Sequence, residues 1–238
     1  MAVSRQAVGK KRTPETGPRA RMKKVMLDTA MELMECGVIP SVSEVAEAAG
    51  VSRATAYRYF PTQAAMIQAA VDAALGPILD WHSDSPDAED RVSKLITFAY
   101  PRLDTYETTL RAALQLAIAQ WARQQAGALG EEQPIVRGNR KKLLTEALQP
   151  LEGELRRPAF DRLAQSLSLI FGTEALVVLK DIWGLDGKEA RRVAVWAGHA
   201  LVRAAVSENA NAKASRPARR APQTPARKPQ RRNSKTLN

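Results

Sequence analysis

From residue 53 to residue 60 the chain reads Arg53-Ala54-Thr55-Ala56-Tyr57-Arg58-Tyr59-Phe60, with cationic and phenolic side chains crowded onto one short segment of helical spacing. The chemistry open to such a set is recognition rather than bond-making. A guanidinium at Arg53 can meet a guanine edge bidentately, and the methyls of Ala54 and Thr55 can touch a thymine methyl. Tyr57, Arg58 and Tyr59 are placed to meet phosphates and so fix a register. Ala56 and Phe60 fall on the opposite face and turn inward. Residue types and spacing thus describe a helix for the major groove of duplex DNA.

No comparable set exists for catalysis. His82 lies near Asp80, Asp84, Asp87, Glu89 and Asp90, but one histidine among carboxylates without repeated ligand spacing reads as a solvated loop, and no metal site is expected. His199 falls within an apolar helical stretch and reads as an interface or core residue. Cys36 is the only cysteine, so no internal disulfide or thiolate metal cluster can form. Phosphate-binding loops, dinucleotide fingerprints and nucleophile elbows are missing from the sequence. The expectation is a non-enzyme without catalytic residues or cofactor.

The elements that must hold the reading helix are legible just before it. Ser41 and Glu44 form a capping box, and Val42, Val45, Ala46 and Ala49 follow at helical spacing. Ala46 is small enough for two helices to cross there. Gly50 can adopt the positive φ of a sharp turn, Val51 plugs the angle, and Ser52 caps the next helix. The result is a helix-turn-helix over residues 41–60. Ser41, Ser43 and Ser52 join the expected DNA contacts, Ser41 because a helix N-terminus offers hydroxyl and N–H donors to a phosphate. Before it, Met22, Met26, Ala30, Leu33 and Met34 mark a first helix from about Arg19 to the stop at Gly37. After it, Pro61 and Thr62 open a fourth helix.

Further along, a fifth helix is expected to end or kink at Pro101, a sixth to span about 104–126 and a seventh 135–149. The eighth, about 159–183, is apolar nearly all round from Leu167 to Leu179, so it needs cover on every side, part of it from a partner. A ninth carries a stripe of Val193, Ala197, Ala200, Leu201 and Ala204. The fold class is therefore all-α, an N-terminal three-helix DNA-binding domain at 19–61 followed by a helical ligand-binding and dimerisation domain at 62–208. Pro, Gly and charge mark residues 1–18 as a basic disordered arm and 209–238 as a basic disordered tail. The net charge of +11 is unevenly placed: residues 1–24 carry eight Lys/Arg against Glu15, residues 213–238 nine against no acid, and the body between them is mildly acidic. Such ends suit phosphate contact or simple solubility. No apolar run is long enough to span a bilayer and the basic start leads into no apolar segment, so neither membrane nor signal peptide is expected, and a cytoplasmic protein is.

The stretch from about 22 to 70 resembles the tetracycline-repressor (TetR) family, on the turn Ala46-Glu-Ala-Ala-Gly50-Val51-Ser52 and the recognition segment Tyr57-Arg58-Tyr59-Phe60. Phe171 to Leu176 and Asp181 to Asp186 resemble the C-terminal half of some members. The resemblance implies a homodimer through the last two helices, a near-palindromic duplex operator, and a small-molecule effector held between the middle helices. Candidate wall residues are Phe98, Tyr106, Leu114, Ile118, Trp121 and Phe171. Glu174, a carboxylate amid apolar neighbours, must pair, reach water or meet a ligand. Two departures stand out. Where members often carry a phosphate-binding lysine this chain has Gln63, a neutral donor. The loop between Gly37 and Val42 is about a residue short and lacks an aromatic. The implied function is a DNA-binding transcriptional regulator, a repressor released by its effector. The alternative is an architectural or partner-tethering DNA-binding protein with no effector.

Overall fold

The computed structural model describes residues 17–136 and 138–214. Its order is α1 (Pro18–Glu35), α2 (Val42–Ala48), α3 (Arg53–Tyr59), α4 (Gln63–Leu75), a 3-10 turn (Gly76–Asp80), α5 (Ala88–Thr105), α6 (Glu107–Gln125), α7 (Asn139–Ala147), a second 3-10 turn (Gln149–Leu151), α8 (Arg157–Leu167), α9 (Thr173–Leu176) running into a π turn (Val177–Ile182), and α10 (Gly187–Ala214). Among the described residues there is no β-strand, and no helix is long and apolar enough to cross a membrane.

Two cores organise the chain. The smaller joins Met26, Ala30 and Met34 of α1 to Val45 and Ala46 of α2, Ala56 and Phe60 from α3, and Met66, Ile67 and Ala70 of α4. Ala112, Ala113 and Leu116 of α6 close it from the body side. The larger core is built from α5, α7, α8 and α10 around Leu95, Ile96, Tyr100, Leu144, Leu148 and Leu167. Helices α5 and α10 lie closest: a β-carbon on Gly198 would be 3.0 Å from Val92 Cγ1 and 3.2 Å from Ile96 Cδ1. The small residues Ala190, Ala194 and Ala205 share that buried face with Gly198. The stripe predicted from Val193 to Ala204 is a different one, and of it Val193, Ala200 and Ala204 are exposed in the single chain.

Three expectations are corrected. Pro101 does not end α5; it sits exposed inside the helix, one turn before its end, while its neighbours Ala99, Tyr100 and Leu103 are buried and hold the turn in place. The predicted eighth helix is broken into α8 and α9. Gly172, at φ 117°, cannot continue a right-handed helix, and Leu169 before it is exposed. The backbone carbonyls freed by the break are met from other helices: Arg140 Nη1 donates to Ser168 O at 3.1 Å and the Tyr100 hydroxyl to Ile170 O at 2.7 Å. A break so supplied is part of the design of the fold. Finally, order does not stop at residue 208, since α10 continues through Ala214, and Pro18 already belongs to α1 as its first residue, a position suited to proline. The rest of the predicted arm and tail, residues 1–16 and 215–238, lies outside the described residues.

Candidate nucleic-acid interface and the cavity behind it

The reading unit is held by local hydrogen bonds. α1 ends with Gly37 at φ 83°, where Val38 N donates to Leu33 O at 3.1 Å and Gly37 N to Met34 O at 2.9 Å. The same paired closure ends α2: Gly50 takes φ 65°, Val51 N reaches Ala46 O at 2.8 Å and Gly50 N reaches Glu47 O at 3.1 Å. Ser52 Oγ then accepts from Thr55 N at 3.2 Å and starts α3. Ala56 and Phe60 point into the small core, with exposures of 0% and 2%. Arg53, Ala54, Tyr57 and Arg58 are exposed on the outer face, and α3 carries no acidic residue in its first turn to oppose a phosphate.

The other sequence-predicted contacts are less free than their positions suggest. Ser41 and Glu44 do form the capping box: Ser41 N donates to Glu44 Oε2 at 2.7 Å, and Ser41 Oγ accepts from Glu44 N at 3.2 Å. The backbone N–H of Ser41, expected for a phosphate, is therefore engaged, and that bond together with the Ser41 hydroxyl holds the Glu44 carboxyl below its ordinary range. Thr55 is half-buried and its hydroxyl accepts from Ser52 Oγ at 2.9 Å. Tyr57 shares a 3.3 Å hydrogen bond with Ser43, so these two form one polar spot across the two helices. Gln63 stands where a phosphate-binding lysine was expected by resemblance, but its amide nitrogen donates to Pro40 O at 3.0 Å and Ile39 O at 3.3 Å. It braces the shortened loop before Ser41, with both amide hydrogens engaged.

Arg19 is a candidate that sequence reasoning missed. Its guanidinium lies 5.7 Å from the centre of the Tyr59 ring, with Arg58 6.0 Å from the same ring. Tyr59, the last residue of α3, is half-buried beneath these guanidiniums, so it orients two cations more than it offers a free phenol. No sequence spacing links residues 19 and 59; only the tertiary fold brings them together.

Behind the reading unit, between α4, α6 and α7, lies a cavity of about 90 Å³. Val71 and Leu75 from α4, Leu110, Ala113 and Leu114 from α6, and Phe171 from the break before α9 supply apolar wall. Gln68, Asn139, Arg140 and Thr173 are its polar members. Of the candidate wall residues, Leu114 and Phe171 are there. Phe98, Ile118 and Trp121 are not: they are 48%, 57% and 62% exposed on outer helix faces. Tyr106 lies outside as well, under the Arg102 guanidinium at 4.8 Å, where Arg102 also caps the end of α4 by donating to Ala74 O at 2.6 Å. Glu174 is paired with Arg140, which itself lines the cavity. Helical periodicity cannot separate a residue facing a cavity from one facing filled core, which is why spacing finds only part of the wall.

The cavity and the reading unit share structure. Ala113 is buried in the small core and also lines the cavity. On α4, Met66, Ile67 and Ala70 support the reading unit while Gln68, Val71 and Leu75 line the cavity. An ion-pair set ties α5 and α6 to the π turn: Arg111 of α6 to Asp181 at 2.6 Å, and Lys180 to Asp104 of α5 at 2.8 Å and to Glu107 of α6.

Residues 26–70, from the middle of α1 into α4, match the family described as bacterial regulatory proteins, tetR family. Among solved structures the chain is similar to a TetR transcriptional regulator from Rhodococcus sp. RHA1, at 17% identity over 78% of this chain and 97% of that one, with a TM-score of 0.48. No curated protein matches it.

Proposed function

Since the chain belongs to the tetR family of bacterial regulatory proteins through its domain at residues 26–70, we propose that this transcription regulator is a cytoplasmic, homodimeric repressor that leaves its operator when a small molecule enters the cavity behind the reading unit. The observation that carries the reading is the double role of Ala113, which is wall to the cavity and core to the DNA-binding unit. A volume of about 90 Å³ is below the ~300 Å³ at which drug-sized ligands are usually held. An occupant of that size must part α4 from α6, and neither helix can move without moving what α1 to α3 rest on. A ligand that binds only the parted state shifts the population toward it.

The dimer is supported by apolar surface that one chain leaves uncovered. Val193, Trp196, Ala200 and Ala204 make an exposed stripe on α10, with Trp196 72% exposed, and Val178 and Ile182 of the π turn lie on the adjoining element. Contiguous apolar surface of this kind marks an interface. Pairing two copies there presents two α3 helices, each with Arg53 and Ala54 leading, to successive major grooves.

The test is selection of duplexes from a randomised pool by the full chain. A near-palindromic site with half-sites one helical turn apart, about 34 Å, is the expected product. Recovery of a pool with no enriched sequence would remove the operator reading and leave sequence-independent DNA binding.

A further inference from the structure

Gln68 enters the cavity wall from α4 with a hydrogen-bonding capacity that its surroundings only half satisfy. Its amide nitrogen donates to Asp72 Oδ1 at 3.1 Å, one turn along the helix. A carboxylate can only accept, so that contact fixes which end of the amide is nitrogen. The carbonyl oxygen, Gln68 Oε1, is then buried with no partner. A buried acceptor left unpaired is costly, and in a native fold it calls for an explanation. The cavity wall it belongs to is otherwise dominated by apolar side chains. Arg140 also lines it, but its guanidinium already donates to Ser168 O at 3.1 Å and is paired with Glu174, so its charge is met without a ligand.

The apolar character does not stop at the cavity. Val136 lines it and is nonetheless 71% exposed, which puts the opening beside Val136. Along α6, Leu114 in the wall is followed one and two turns on by Ile118 and Trp121, both exposed. The loop carrying Ile135 and Val136 is held against this helix, since Ile135 N donates to the buried Gln120 Oε1 at 2.9 Å. An apolar track thus leads outward from the cavity.

From this arrangement we propose that the effector is an uncharged, elongated apolar molecule with a hydrogen-bond-donating end, a hydroxyl or an N–H, that donates to Gln68 Oε1 as its entry parts α4 from α6 and uncovers that buried oxygen, while its apolar body leaves past Val136 toward Trp121. The inference rests on the reading of the chain as effector-responsive. The donor requirement separates it from carboxylate ligands, which would present an acceptor to an acceptor, and from plain hydrocarbons, which would leave Gln68 unpaired.

The probes are octan-1-ol, 1-methoxyoctane, which has the same body without the donor, and octanoate, each titrated calorimetrically into the full chain and into Gln68→Leu and Gln68→Met. The expected result is saturable binding of octan-1-ol, tighter than either other probe by about tenfold, the worth of one hydrogen bond to an otherwise unpaired buried acceptor. In whichever Gln68 variant folds, the alcohol should lose its advantage over the ether. Equal binding of alcohol and ether by the native chain overturns the proposal, as does octanoate binding tightest, which would make Arg140 the anchor, or no saturable binding of any probe. A parallel titration against selected operator DNA distinguishes the two readings. Binding of octan-1-ol with the predicted preference but without DNA release supports the ligand class and counts against the effector role.

Discussion

Arg140 lays its guanidinium where a side chain of residue 172 would be: Nη2 lies 3.0 Å from the position of a β-carbon on Gly172. The residue is glycine for two separate reasons, since its φ of 117° is also one that side chains rarely permit. Gly50 offers the contrast, with φ 65° and nothing within 4 Å of its would-be β-carbon. Gly50→Ala should therefore show backbone strain alone, about 1–2 kcal/mol of lost stability. Gly172→Ala should cost more, about 2–4 kcal/mol, because its φ of 117° and ψ of −172° fall in a region nearly closed to side chains and because Arg140 must be displaced as well. Urea midpoints of both variants check this, and equal losses would contradict it; Gly172→Ala repeated in an Arg140→Ala background isolates the contact, whose share of the loss should disappear there.

Tyr100 is a second brace of the same break. Its hydroxyl is buried and donates to Ile170 O, so Tyr100→Phe leaves a carbonyl without its partner and should cost about 1–3 kcal/mol. Burial pushes the phenol above its ordinary value of about 10. The folded chain keeps a proton that the unfolded chain releases, so the contribution is complete below pH ~10 and is eroded as pH rises beyond it. The native chain and the Tyr100→Phe variant, compared by urea unfolding at pH 8 and pH 10.5, should differ less at the higher pH. A constant difference would mean the phenol titrates normally.

The uncovered stripe on α10 predicts its own disruption. Trp196→Glu and Ile182→Glu place a charge on surfaces that are 72% and 73% exposed in one chain, so each should give a folded monomer. Ala175→Glu, which a continuous eighth helix would have recommended, tests something else: Ala175 is 5% exposed within its own chain, and a charge there attacks the core. Light scattering with circular dichroism separates these outcomes, and an intact dimer for both Trp196→Glu and Ile182→Glu would move the interface elsewhere.

What could be read in the sequence was what short-range chemistry decides. The capping box of Ser41 and Glu44, the turn at Gly50 and the inward Ala56 and Phe60 are all settled within a few residues of themselves, and all stand where expected. Where the fold departs from the sequence pattern, the cause lies in long-range contacts. The apolar run from Leu167 to Leu179 predicts a helix unless Arg140 and Tyr100, both far away in sequence, are waiting to receive its broken carbonyls. Gln63 reads as a phosphate donor unless the shortened loop folds back onto it. Trp121 and Ile118 read as cavity wall because their spacing from Leu114 is helical, and spacing alone does not say where the neighbouring helix ends.

In the proposed function α3 reads base edges, with Arg53 foremost. Fluorescence anisotropy of the full chain and of Arg53→Ala, on the selected operator and on a random duplex at several salt concentrations, tests it most directly. Arg53→Ala is expected to lose about 1–3 kcal/mol on the operator, to relax preference at one position per half-site, and to change affinity for the random duplex much less. Equal losses on both duplexes, with a shallower dependence on salt, would contradict it and make Arg53 a phosphate contact.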